Sequence, residues 1–127
     1  MVIMNNKDMN VLTLAYLGDS VYEIYIRDYL VKKGLVKVKD LQAEAVNYVS
    51  ARKQCEFLKK MIDIDFFNEE EVSIIMRARN HKGSSHPKNT DIVTYKYATG
   101  IEALIGYLYL ENKNTRIDEI MKYIIGE

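Results

Sequence analysis

The sequence predicts an all-α helical bundle, and three observations carry the prediction. Apolar residues recur at three- and four-residue steps, as in Leu14, Leu17, Val21, Ile24 and Tyr25, the spacing that puts them on one helix face. The single proline, Pro87, lies in a polar stretch, and only six glycines interrupt the 127 residues, so long helices are unobstructed. No run keeps the apolar–polar alternation of a half-buried strand. A chain of 127 residues, 48% of them apolar, suits one domain, 1–127. Domains typically run to ~100–150 residues, and two would each have a thin core.

Each expected helix has its punctuation. Asn10 is placed to cap a first helix reaching about Lys33, with Gly34 as its stop. Asp40 is expected to cap a second, in which Leu41, Ala45, Val49 and Arg52 follow at helical steps as far as about Met61. Asn68 opens a third, with Glu69, Glu70 and Glu71 in its first turn and Arg77 and Arg79 in its last. Those signs match the positive and negative ends of a helix dipole. Residues 81–90, HKGSSHPKNT, read as a loop. Asn89 or Thr90 is expected to cap the next helix, which runs to about Glu111, and a short one spans about Arg116 to Ile125. There is no internal repeat and no low-complexity segment.

Composition excludes several classes. Eighteen basic residues balance eighteen acidic ones, so any nucleic-acid binding must come from a local basic patch. One cysteine, Cys55, permits no intrachain disulfide. It is expected to be a small half-buried residue, since no His and Asn/Asp constellation supports a thiol nucleophile. The opening MVIMNNKDMN has no long apolar run after a basic segment, so no secretory leader is expected. The longest apolar candidate, Ile101 to Leu110, contains Glu102 and falls short of the ~20 residues of a membrane span. A cytoplasmic location follows as the expectation.

Two carboxylates are out of place. Asp19 sits among Leu14, Ala15, Leu17, Val21, Tyr22 and Ile24, and Glu102 among Ile101, Ala103, Leu104 and Ile105. Helices this apolar must be covered on most faces, and a carboxylate there is rarely buried unless paired or metal-bound. Converging from two helices, such groups make a hard-oxygen site suited to Mg²⁺ or Mn²⁺. The competing reading has each one facing a groove or paired with Arg27, Arg77 or Arg79. Glu23 lies four residues before Arg27, the favourable order for a helix ion pair. Asp91 lies eleven residues before Glu102, ~16 Å along a continuous helix. It is expected to complement the helix N-terminus, with an accessory catalytic role as the alternative. His81 and His86 lack the partners that structural zinc wants.

Arg77, Arg79, His81, Lys82, His86 and Lys88 form a basic run with no acidic residue inside it. Such a segment can track phosphates, with its Ser and Asn groups donating to sugar and phosphate oxygens; a solvated loop is the alternative. The tyrosines at 95, 97, 107 and 109 fall at helical spacings and read as core or interface residues.

These residues carry a resemblance. LAYLGDSVYE, residues 14–23, resembles the signature segment of ribonuclease III, and EALIGYLYLE, residues 102–111, resembles its second catalytic segment. The stretch from Pro87 to Glu111 looks specifically like the mini-ribonuclease III branch, and the likeness spans roughly residues 9–125. The resemblance implies a ribonuclease III endonuclease-domain helical bundle. It also implies an obligate homodimer that uses Mg²⁺ to hydrolyse double-stranded RNA, with precursor of the large-subunit ribosomal RNA as substrate. It makes Asp19 and Glu102 metal ligands, with water as the nucleophile. The sequence departs from full-length ribonuclease III at two positions. Ala15 stands where a glutamate is usual, and Thr99 where an aspartate is usual. No double-stranded RNA-binding domain follows within the chain, so RNA binding falls to Arg77, Arg79, Lys82, His86 and Lys88.

Two rivals remain open. A non-catalytic ribonuclease III fold serving as an RNA-binding or ribosome-associated module gains support from Ala15 and Thr99 and loses it from Asp19 and Glu102. An all-α nucleotide pyrophosphohydrolase would want closely spaced acidic pairs, and Glu102 has no acidic neighbour at three or four residues within its apolar stretch. The surplus apolar surface of the first helix, with Tyr16, Tyr22, Tyr25 and Tyr29, marks where a dimer interface is expected.

Overall fold

The Asn10 side chain accepts from the backbone N–H groups of Leu12 at 2.8 Å and Thr13 at 3.4 Å, and the chain enters helix α1, Val11–Lys32. Gly34, at φ 103°, turns the chain out of it. The computed structural model describes residues 5–82 and 91–126. Within them lie a short 3-10 turn at Asn6–Asp8, six α-helices and no strand. No helix among the described residues is long and apolar enough to cross a membrane.

The single helix expected from Asp40 to Met61 is two, α2 at Val38–Val49 and α3 at Ala51–Asp63. Ser50 joins them in an extended conformation, ψ 149°, and its hydroxyl accepts from the Lys53 N–H at 3.3 Å. The apolar rows show why. Leu41, Ala45 and Val49 continue not at Arg52, which is exposed, but in the buried row Gln54, Leu58 and Met61. The five-residue step from Val49 to Gln54 cannot stay on one face of a straight helix. A break at a serine, whose side chain caps the new helix, resets the phase. Asp40 accordingly lies inside the first turn of α2, and Lys37 is the residue before it.

Helix α4, Glu69–Arg79, opens on a full capping box. The Glu71 N–H donates to Asn68 Oδ1 at 2.9 Å, and the Asn68 N–H to Glu71 Oε1 at 3.0 Å. Helix α5, Ile92–Leu110, is capped by Asp91, which accepts from the Thr94 N–H at 3.0 Å and its hydroxyl at 2.7 Å. Asn89 and Thr90, the caps expected from sequence, lie outside the described residues. Helix α6, Asn114–Ile125, begins two residues before Arg116 and ends at Gly126, φ 93°.

Helix α5 is the axis of the bundle. From Ala98 to Leu108 every residue except Glu102 is buried, the pattern of a helix covered on all sides. Helices α1, α3, α4 and α6 supply the cover, with Leu14, Tyr22, Ile26 and Leu30 from α1, Leu58 and Met61 from α3, Ile74 and Ile75 from α4, and Ile117, Ile120 and Ile124 from α6. The closest approach is between α1 and α5. A Cβ on Gly18 would lie 1.7 Å from the Glu102 carbonyl oxygen, and one on Gly106 would lie 2.0 Å from that of Leu14. The two helices therefore touch backbone to backbone, which only glycine permits.

One buried charge is locked into this frame. Arg116 donates from Nε to Glu71 Oε2 and from Nη2 to Glu71 Oε1, both at 2.8 Å, and from Nη2 to the Phe66 carbonyl at 2.7 Å. Its guanidinium also stacks 4.6 Å from the Phe66 ring centre.

Candidate active site

The glycine contact positions the two carboxylates singled out from sequence. Asp19 directly follows Gly18 on α1, and Glu102 lies one turn before Gly106 on α5. Their carboxyl groups come within hydrogen-bonding reach of each other, Asp19 exposed and Glu102 half-buried. Burial, then the hydrogen bond and charge of Asp19, and more weakly the charge of Glu23, push Glu102 up to about 9; the Gln54 amide works the other way. At neutral pH Glu102 therefore keeps its proton, because burial and the neighbouring Asp19 carboxylate both disfavour its ionisation. None of the three arginines offered as counter-charges is given to them. Arg27 pairs with Glu23 at 2.8 Å. Arg77 donates to the backbone carbonyls of Lys7 and, at 2.6 Å, Met9. Arg79 bonds to Asn80 Oδ1 at 3.2 Å.

The departures from full-length ribonuclease III contribute no ligand. Ala15 is buried and apolar, and the buried Thr99 hydroxyl donates to the Tyr95 carbonyl at 2.9 Å. No group of three or more His, Cys, Asp or Glu side chains in a metal-holding arrangement occurs among the described residues. What the site offers is an exposed carboxylate, a half-buried one and a buried amide, Gln54, whose Nε2 has no hydrogen-bond partner. That donor set fits Mg²⁺, which binds through one or two carboxylates and keeps the rest of its octahedron for water and phosphate oxygens.

Sequence reasoning passed over Gln54 and Lys59. Gln54 had a signal, since a polar residue shares the row of Leu58 and Met61 on α3. Lys59 had none. Its ammonium and the Arg79 guanidinium each lie 5.1 Å from the Tyr97 ring centre, so α3 and α4 bring two cations to one aromatic ring. Lys82 is exposed. His86 and Lys88, the other expected RNA contacts, lie outside the described residues. Asp91 is the exposed cap of α5, and the Thr94 hydroxyl and N–H hold its carboxyl below the usual range. Cys55 is fully rather than half buried, and burial pushes its thiol pKa up. Tyr22, expected at an interface, is internal and donates to the Tyr48 carbonyl at 2.5 Å.

The comparisons with known proteins give the class to which this helical bundle belongs. Residues 12–113 match the family model of the Ribonuclease III domain. A Mini-ribonuclease 3 of Enterococcus faecalis is 44% identical over 119 residues, 94% of this chain and 90% of the relative. One of Desulfitobacterium hafniense is 47% identical over 111 residues, 87% of this chain and 69% of the relative. A crystal structure of a protein from Fusobacterium nucleatum superposes with a TM-score of 0.83 at 34% identity, covering 94% of this chain and 93% of that one. The chain belongs to the ribonuclease III family, in its mini-ribonuclease branch.

Proposed function

We propose that the chain is a Mg²⁺-dependent endoribonuclease, with Mn²⁺ as a substitute, that hydrolyses phosphodiester bonds of double-stranded RNA. The observation that carries this reading is the pair Asp19 and Glu102, two acids brought face to face with no basic side chain among the groups that shift Glu102. A bound Mg²⁺ would polarise the phosphate and lower the pKa of the attacking water. Asp19 and Glu102 would hold it through their carboxylate oxygens. Arg79, Lys82, His86 and Lys88 hold the RNA backbone, joined by Lys59, which shares the Tyr97 ring with Arg79. Arg77 serves the N-terminal turn instead, through its bonds to Lys7 and Met9.

The reading extends to a homodimer working in the cytoplasm on precursor of the large-subunit ribosomal RNA. Tyr16, Ile24 and Val31 are exposed on α1 at helical spacing, beside Val38 and Val46 on α2; Tyr16 is 83% exposed. A groove of about 390 Å³, lined by Ile26, Leu30, Val38, Leu41 and Ala45 among others, runs between these helices. A two-fold dimer through this face gives a duplex, with its antiparallel strands, one site per strand.

The test is cleavage of long duplex RNA with Mg²⁺ or EDTA, nucleoside triphosphates being offered in parallel. Wild-type protein cuts the duplex with Mg²⁺ only and leaves the triphosphates intact. Asp19→Asn falls to the EDTA background while keeping its thermal midpoint, because replacing an unpaired carboxylate costs the fold little. Cleavage by Asp19→Asn within a few-fold of wild type would show the site to be misassigned. A wild-type protein that binds the duplex without cutting it would point to the non-catalytic module.

A further inference from the structure

Gln54 is 3% exposed, in the row of α3 that packs on α5 with Leu58 and Met61. An apolar residue of the same length fits that register, and an unsatisfied buried amide donor costs about 1–3 kcal/mol. Such groups are rare enough in folded proteins to need a reason. Gln54 Nε2 is fully buried without a hydrogen-bond partner. Its amide nevertheless faces Glu102 closely enough to favour the ionised carboxylate, although no bond of good geometry is closed between them. The other side of Glu102 is shared with Asp19. Three helices thus converge on one carboxyl group, α1 with an acid, α5 with the group itself and α3 with a donor that lacks an acceptor.

We infer that Gln54 is a positioning residue, whose side-chain amide holds one oxygen of Glu102 and leaves the other to be shared with Asp19 in binding a divalent cation. An amide suits the task better than a cation. Lys or Arg here would neutralise Glu102 and weaken its hold on the ion, whereas a neutral donor orients the carboxylate and leaves its charge. Hydrogen bonds from outside the ligand shell orient metal ligands generally, and losing one typically costs about 10–100-fold in metal affinity. The inference rests on the metal-dependent reading proposed above.

The test uses Gln54→Met, which keeps the length and removes the amide, with Gln54→Leu as a second apolar replacement. Mn²⁺ binding to the full chain without RNA is followed by the electron paramagnetic resonance of free Mn²⁺, and thermal midpoints are taken in EDTA. The expected result is Mn²⁺ binding weakened about tenfold or more, with the midpoint in EDTA kept or raised because an unsatisfied donor is gone. Wild-type Mn²⁺ affinity in either folded variant overturns the inference and leaves the metal site standing. Loss of the fold in both variants also overturns it, since the amide then serves packing. If wild type binds no Mn²⁺ that Asp19→Asn abolishes, the metal reading itself fails, and the inference falls with it.

Discussion

Glu71 and Glu102 are both glutamates drawn largely out of solvent by the helices around them, and they end in opposite company. Glu71 receives two bonds from Arg116 and one from the Asn68 N–H, so its charge and its lone pairs are answered. Glu102 receives an acid, Asp19, and an amide that closes no bond. A buried carboxylate with its counter-charge in place is finished as structure. One that meets a second carboxylate holds on to its proton instead. The difference separates a carboxylate answered within the fold from one that is not, using charge and hydrogen bonds alone.

The comparison breaks most visibly at Arg116. Arg116→Ala leaves Glu71 buried and unpaired, and it should cost about 3 kcal/mol, a fall in thermal midpoint of roughly 10 °C for a domain of this size. Urea unfolding and thermal melts check it. A loss below about 1 kcal/mol would make the Glu71 pair no better than a surface ion pair, and the contrast would dissolve.

Glu102→Gln should move stability the other way. The folded protein holds the Glu102 proton up to about 9, against an ordinary value of 4.5. Below pH 4.5 the group is protonated folded or unfolded, and its contribution to stability is fully present. As pH rises toward 9 the unfolded chain gives up the proton and the folded one keeps it, so that stability drains away. Asp19, Glu23 and Gln54 are the groups that face it. In EDTA the glutamine variant should therefore match wild type near pH 4.5 and melt above it at pH 8. Adding Mn²⁺ at pH 8 should raise the wild-type midpoint by mass action and leave the variant where it is. A variant less stable than wild type at pH 8 in EDTA would contradict the proton held on Glu102.

Glu23 lies between the two cases, half-buried, paired with Arg27 at 2.8 Å and one turn from Asp19. Glu23→Gln loses an exposed helix ion pair worth about 0.3–0.5 kcal/mol and relieves Glu102 of a neighbouring charge. The net change in stability should stay within about 0.5 kcal/mol, read by the same melts, with cleavage retained. Loss of cleavage to background would promote Glu23 to a ligand and enlarge the site.

The all-α class, the openings of α1 at Asn10 and of α4 at Asn68, and the pairing of Glu23 with Arg27 were legible in the sequence, because each depends on residues within about one turn of one another. So was the suspicion attached to Asp19 and Glu102, since an acid inside an apolar helical run is conspicuous without coordinates. The break at Ser50 was not: the row of Leu41, Ala45 and Val49 reads on to Arg52 in the sequence, and only burial moves it to Gln54, Leu58 and Met61. Other features depend on which helices meet. Gly18 and Gly106 lie 88 positions apart, and nothing local to either reveals that their backbones touch and set the two acids face to face. Arg77 and Arg79 look interchangeable in the sequence, yet α4 sends one to the carbonyls of Lys7 and Met9 and the other to Tyr97. Gln54 becomes informative only when α3 packs on α5, because an unanswered donor is defined by what surrounds it. Local hydrogen bonding and periodicity wrote the helices, and long-range packing decided which charges were answered and which were left without a counter-charge.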